Sequence, residues 1–158
     1  MRKSERWIWK GIATGGGLGY SPVAPGTAGA LGALVPAFFI LHYTCCPGWI
    51  LGGLVVLFTL LGTIASARLE PAWGKDPQTI VIDEVVGMWI ALTGTGSGWI
   101  TLAAGFLLFR FFDIVKPLGI RQAERLRGGF GVMADDILAG IYANVLLQIA
   151  LKLIPGLA

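Results

Sequence analysis

Long apolar runs alternate along this chain with short connections that hold nearly all of its charged groups. The run 49–67, WILGGLVVLFTLLGTIASA, carries no charge and has the length of a transmembrane helix. A second apolar run predicts a helix over roughly 28–43, with Thr27 as its N-cap and Pro36 inside it. Two further runs, about 79–93 and 99–112, flank Gly94-Thr95-Gly96-Ser97-Gly98. Each is short for a full crossing, which leaves open a tilted, a partly interfacial or a re-entrant arrangement. A last helix is predicted from near Asp135-Asp136 to about Leu153, stopped by Pro155-Gly156.

The connections have their own character. Residues 1–11 form a basic and aromatic lead-in suited to the membrane interface. Residues 13–29 form a loop rich in glycine and proline, Cys46-Pro47-Gly48 a turn, and Arg68 to Gln78 a polar loop. Residues 113–134 form a basic connection punctuated by glycine. The pattern predicts an all-α protein: an integral membrane helical bundle of about four to five membrane-associated helices, in a single membrane-embedded domain over 1–158.

Composition agrees. The chain is 55% hydrophobic and only 13% charged, against about a quarter charged in a soluble domain. So few charges cannot cover a soluble surface of this size, and lipid takes the place of water around much of the exterior. The 24 glycines suit close helix approach in a membrane rather than disorder.

Charge placement adds an orientation. Arg2, Lys3, Arg6 and Lys10 open the chain, and Arg110, Lys116, Arg121, Arg125 and Arg127 form a second group. Beside long apolar segments such clusters mark a cytoplasmic membrane face rather than a nucleic-acid site. With the N-terminus inside, the outside turns are 43–48 and 94–98, and neither contains Lys or Arg. Lys152 alone is left outside, at a helix end where it can snorkel. Glycine and proline follow the basic start, so no cleaved signal peptide is expected.

Under this topology Asp76, Asp83, Glu84, Asp113, Glu124, Asp135 and Asp136 all gather at the inside face. Carboxylates beside apolar sequence are costly, and several together need cations. An oxygen-rich cluster of this kind suits Mg2+. Plainer roles stay open: Asp135-Asp136 as helix caps, and Arg110 with Asp113, three apart, as an ordinary ion pair. The glycine-rich loop, with Thr14, Ser21 and Thr27, reads either as tight packing or as a phosphate cradle. His42 lies at an outside turn, away from the acids, and Cys45-Cys46 lack the spacing of a zinc site or a cysteine phosphatase. Metal-assisted attack by water is then the economical hydrolytic chemistry.

Four stretches in order, ATGGGLGYSPVAPGTAG (13–29), IVIDEVVGMW (80–89), FRFFDIVKP (109–117) and GGFGVMADDILAGIYAN (128–144), resemble the phosphatidylglycerophosphatase A family. The resemblance implies a Mg2+-dependent phosphatase of phospholipid synthesis, removing the terminal phosphate of phosphatidylglycerophosphate to leave phosphatidylglycerol. It also implies an all-helical protein of the bacterial inner membrane, multi-pass, acting on a phospholipid in the cytoplasmic leaflet. On that reading Asp83, Glu84, Asp113, Asp135 and Asp136 are metal ligands or general base. Arg110, Lys116 and Arg127 neutralise phosphate charge, and Ser21 and Thr27 add hydrogen bonds from the loop. A CDP-alcohol phosphotransferase would also use membrane-face aspartates, but its D-G-x-x-A-R opening is missing. A non-catalytic membrane subunit is the remaining alternative.

Overall fold

The computed structural model describes residues 3–74, 77–117, 119–123, 126 and 128–154, with side chains from Glu5 onward. Arg127, Asp76 and Glu124 lie outside the described residues. The elements are α1 (Lys3–Ala13), a 3-10 segment (Gly15–Tyr20), α2 (Pro25–Tyr43), α3 (Pro47–Trp73), α4 (Ile82–Leu92), α5 (Trp99–Val115), α6 (Ile120–Ala123) and α7 (Gly129–Leu153). No strand occurs among the described residues. The expected all-helical bundle is present, and α2, α3 and α7 are long and apolar enough to cross a membrane. At 1.5 Å per residue they span about 28, 40 and 37 Å. The chain is a membrane protein.

Three boundaries differ from the sequence expectations. Helix α2 starts at Pro25 rather than near 28, so Thr27 lies in its first turn and is not the cap. Proline fits a first helical position because its fixed φ is already helical and it lacks an N–H that would go unpaired. The cap is Ala24, in the left-handed region at φ 47. Helix α3 runs through Pro71 to Trp73 instead of stopping near 67. Its extra turns bury Leu69 and seat Arg68 on the Trp9 ring, 4.5 Å from the centroid, so packing against α1 outweighs the proline. Helix α7 starts at Gly129, six residues before Asp135, with Val132 and Met133 buried. Asp135 and Asp136 are therefore interior helix residues, 6% and 3% exposed, and cap nothing.

The lead-in is itself helix α1. Trp7 is exposed, and Lys10 lies 5.7 Å from the Trp7 ring centre and 5.4 Å from that of Trp73. This amphipathic arrangement suits a headgroup boundary.

Helix α4 is the centre of the bundle, with its most extensive contacts to α7. It buries Ile82, Val85, Val86, Met88, Trp89, Ala91 and Leu92. With 11 residues it is only about 16 Å long, roughly half a hydrocarbon core. A helix ending at that depth leaves carbonyls that lipid cannot satisfy. Side chains from α7 supply the donors: Asn144 Nδ2 donates to the Ala91 and Thr93 carbonyls at 3.0 and 2.8 Å, and Gln148 Nε2 to that of Gly94 at 3.0 Å. The Trp89 indole N–H donates to the Ala33 carbonyl of α2 at 3.0 Å. At one end of the bundle, His42 Nδ1 and Ser97 Oγ lie 3.1 Å apart, so the two turns without Lys or Arg stand side by side. The starts of α2, α4 and α7 and the end of α5 meet at the opposite end.

Candidate metal and phosphate site

The site at that opposite end begins with a close helix crossing. Gly87 of α4 and Gly140 of α7 touch: a methyl at Gly140 would overlap the Gly87 carbonyl, and one at Gly87 would press on the Asp136 carbonyl and the Phe109 ring. Asp83 sits one turn before Gly87, and Asp136 one turn before Gly140. The glycine contact therefore brings the two aspartates together. The same five-residue spacing, Asp-x-x-x-Gly, is written twice, in DEVVG and DILAG. Sequence reasoning weighed only the acids and missed this signal in the two glycines.

Carboxylate oxygens of Asp83, Glu84 and Asp136 lie within 4.8 Å of one another. Asp113, at the end of α5, is close enough to Glu84 and Asp136 for their negative charges to act on one another. Carboxylates this close require a shared proton or a cation between them. The Glu84 backbone N–H donates to Asp83 Oδ1 at 3.1 Å, so Asp83 is held in the first turn of α4, where the helix dipole favours negative charge. Glu84 Oε2 is buried without a hydrogen-bond partner among the described residues. An acceptor oxygen deprived of both water and donors, in a set of hard oxygen ligands, fits a divalent cation.

The remaining candidates sort by position. Arg110 pairs with Asp113 one turn on, as the simple ion-pair reading expected, yet its Nε is also buried without a partner among the described residues. Lys116 Nζ donates to Asp135 Oδ2 at 2.6 Å, so Asp135 is turned toward lysine rather than toward the other three carboxylates. Lys116 itself adopts φ 48 immediately before Pro117, as Ala24 does before Pro25. Left-handed backbone costs about 1 kcal/mol in a residue with a Cβ, and both instances occur at this end of the bundle.

The glycine loop approaches the site through the start of α2. Gly26 packs on Glu84 Oε1, and a Cβ there would lie 3.2 Å from an Arg110 terminal nitrogen. Thr27 follows directly, while the Ser21 hydroxyl is used within the loop, donating to the Val23 carbonyl at 2.9 Å. Gly15, Gly16 and Gly17 all have positive φ, which explains three consecutive glycines. Thr14 is buried, accepting from Gly17 N–H and donating to the Lys10 carbonyl, so it ties the loop to α1.

The arrangement thus joins a metal-competent acidic cluster, an arginine with a spare buried donor and a helix N-terminus at one end of the bundle. Sequence comparison narrows the chemistry. A protein from Bacteroides thetaiotaomicron, provisionally named as a phosphatidylinositol-3-phosphatase, is 49% identical over 146 residues, covering 88% of this chain and 91% of that protein. Phosphatidylglycerophosphatase A of Escherichia coli is 39% identical over 137 residues, covering 84% of this chain and 77% of that one. The Haemophilus influenzae enzyme of the same name is also 39% identical, covering 85% and 83%. No solved structure matches the chain. The phosphatidylglycerophosphatase A family model matches residues 11–151, which include every described carboxylate of the site, and the chain belongs to that phosphatase family.

Proposed function

We propose that the protein hydrolyses the terminal phosphomonoester of phosphatidylglycerophosphate, with Mg2+ held by Asp83, Glu84 and Asp136. The observation that carries the metal reading is the unpartnered Glu84 Oε2 inside a three-carboxylate cluster. When bound, Mg2+ supplies the positive charge that lets this cluster and a phosphate dianion share one site. In the reaction a water oxygen bonds to phosphorus, the bond from phosphorus to the glycerol oxygen breaks, and that oxygen leaves with a proton.

The chain's own groups have distinct parts in this proposal. Arg110 holds phosphate oxygens with its fork, using the donor that finds no protein acceptor. Asp113, beside Glu84 and Asp136, takes the proton of the attacking water. Lys116, fixed by Asp135, adds positive charge, and Thr27 with the free N–H groups of the α2 N-terminus receives the remaining phosphate oxygens. Ser21 keeps the loop closed. Arg127 remains a further phosphate contact on the strength of the family resemblance.

The site faces the cytoplasm of a bacterial inner membrane in this proposal, as supported by the missing Lys and Arg in the turns at the other end. Cys45 and Cys46 are exposed in one of those turns, so a membrane-impermeant thiol reagent should label them from the periplasmic side. Labelling only from the cytoplasmic side would reverse the orientation.

Phosphate release from phosphatidylglycerophosphate in detergent micelles tests the function. Release should stop with EDTA and return with Mg2+. Phosphatidylinositol 3-phosphate belongs in the same assay because of the Bacteroides relative's name, and preference for it would move the substrate assignment. Arg110→Lys keeps the charge but loses the fork. It should fall at least about tenfold in turnover, the usual scale of a lost charged hydrogen bond, while remaining inserted and folded. A silent Arg110→Lys would leave arginine only its pairing with Asp113.

A further inference from the structure

We propose that the pocket between α1, the last turn of α3 and the 77–79 connection binds the headgroup of an anionic phospholipid of the surrounding membrane. It shares no residue with the carboxylate site, and it does not depend on which lipid phosphate is hydrolysed there.

The pocket encloses about 430 Å³ and is lined by Lys10, Tyr20, Ala72, Trp73, Pro77 and Thr79. A short run of buried contacts holds its polar residues in place. Thr14, 1% exposed, donates its hydroxyl to the Lys10 carbonyl at 2.8 Å, and its own carbonyl accepts from the Gly19 N–H at 3.0 Å. Gly19 packs on the Thr79 carbonyl so closely that a methyl there would overlap it, and Tyr20 follows directly. Val81, two residues after Thr79, donates its N–H to the Ala13 carbonyl at 2.9 Å. Lys10, Tyr20 and Thr79 come from three different segments and are fixed to one another through backbone.

Their side chains have no polar protein partner. The Lys10 ammonium stands 5.4 Å from the Trp73 ring centre and 5.7 Å from that of Trp7, and it meets no carboxylate among the described residues. The Tyr20 and Thr79 hydroxyls have no hydrogen-bond partner among the described residues either. One cation and two hydroxyl donors around a space of this size suit a phosphate with a small polar group attached. No carboxylate lines the pocket to receive an amine. That favours a phosphodiester with neutral hydroxyls over a zwitterionic headgroup.

Depth identifies the source of the phosphate. The uncharged part of α3, 47–67, covers about 31 Å, the thickness of a hydrocarbon core. Its charged residues, Arg68 and Glu70, come only after that stretch, and Ala72 and Trp73 follow them. The pocket wall therefore stands beyond the hydrocarbon, at the level of lipid phosphates. The exposed Trp7 of α1 belongs at the same level, where indole rings collect.

Melting temperature in maltoside micelles, with EDTA to keep metal from the carboxylates, tests the site. The added probes are dioctanoyl phosphatidylglycerol, dioctanoyl phosphatidylethanolamine and inorganic phosphate. Phosphatidylglycerol should raise the melting temperature of wild type through binding linkage, and the other two should raise it far less at equal concentration. Lys10→Gln should need about tenfold more phosphatidylglycerol for the same rise, the scale of one charged hydrogen bond. Lys10→Arg should keep the response. Tyr20→Phe and Thr79→Val each lose one hydroxyl at a position that is not buried. Each should need about fivefold more lipid, and they carry the test if Lys10→Gln does not fold. Arg6→Gln, on α1 but outside the pocket, should respond as wild type. The site is overturned if phosphatidylglycerol leaves wild type unmoved, or if the Lys10, Tyr20 and Thr79 variants all keep the wild-type response. It is also overturned if Arg6→Gln loses as much as Lys10→Gln, which would mean diffuse surface charge, or if phosphatidylethanolamine works equally well. A Lys10-dependent rise with inorganic phosphate alone would overturn the lipid and assign the pocket to a soluble anion.

Discussion

Asp83→Asn and Asp136→Asn are each expected to lower turnover about 100-fold or more, the scale set by removing a charge-stabilising group from an active site. Asparagine keeps the shape and a neutral oxygen but removes the anionic ligand a hard cation requires. The two losses should not add in the double variant, since ligands of one ion fail as a unit. Stability should move the other way. Without metal the cluster crowds buried like charges, so each variant should melt no lower than wild type in EDTA. Wild type should gain thermal stability on adding Mg2+ through binding linkage, and the variants should lose that gain. Melting curves and kcat in detergent, with EDTA and with Mg2+, read both effects. Full activity in both variants would remove Asp83 and Asp136 from the site.

A second large effect is expected from residues with no polar side chain. Gly140→Ala should cost about 1–3 kcal/mol by overpacking, because the new methyl overlaps the Gly87 carbonyl. Forced apart, α4 and α7 would separate Asp83 and Glu84 from Asp136, and a displacement near 1 Å costs about 100-fold in rate. Gly87→Ala should act similarly through the Asp136 carbonyl and Phe109. The control is Gly52→Ala in α3, where a methyl meets open space; alanine there favours the helix. Thermal melting and turnover for the three variants test this. A Gly140→Ala protein as stable and active as Gly52→Ala would show that the crossing does not set the site.

Much of this architecture was legible because lipid simplifies the code. An uncharged run such as 49–67 has few fates besides a membrane helix. The five runs correspond to α2, α3, α4, α5 and α7. Boundaries were harder where tertiary packing overrode local signals. The start of α7 lies in GGFGVMA, which reads as a loop by composition, yet Gly129 is needed there because a Cβ would collide with the Thr63 carbonyl of α3. The carboxylates of the cluster could be picked out individually, since acids beside apolar sequence are conspicuous. Their division was not legible. Asp135 and Asp136 are neighbours in sequence, but successive helix positions point about 100° apart, so one meets Lys116 and the other meets Asp83 and Glu84. That distinction requires knowing where α5 ends.

The half-length of α4 has a consequence for biogenesis. A segment of 11 residues is too short to partition into a bilayer as an independent span, and the donors for its last carbonyls are Asn144 and Gln148, near the end of the chain. Helix α4 therefore reaches its final depth only after α7 has been synthesised and brought alongside. Until then Asp83 and Glu84 remain apart from Asp136. The acidic cluster is therefore completed only once α7 is in place, after the earlier spans have begun to enter the membrane.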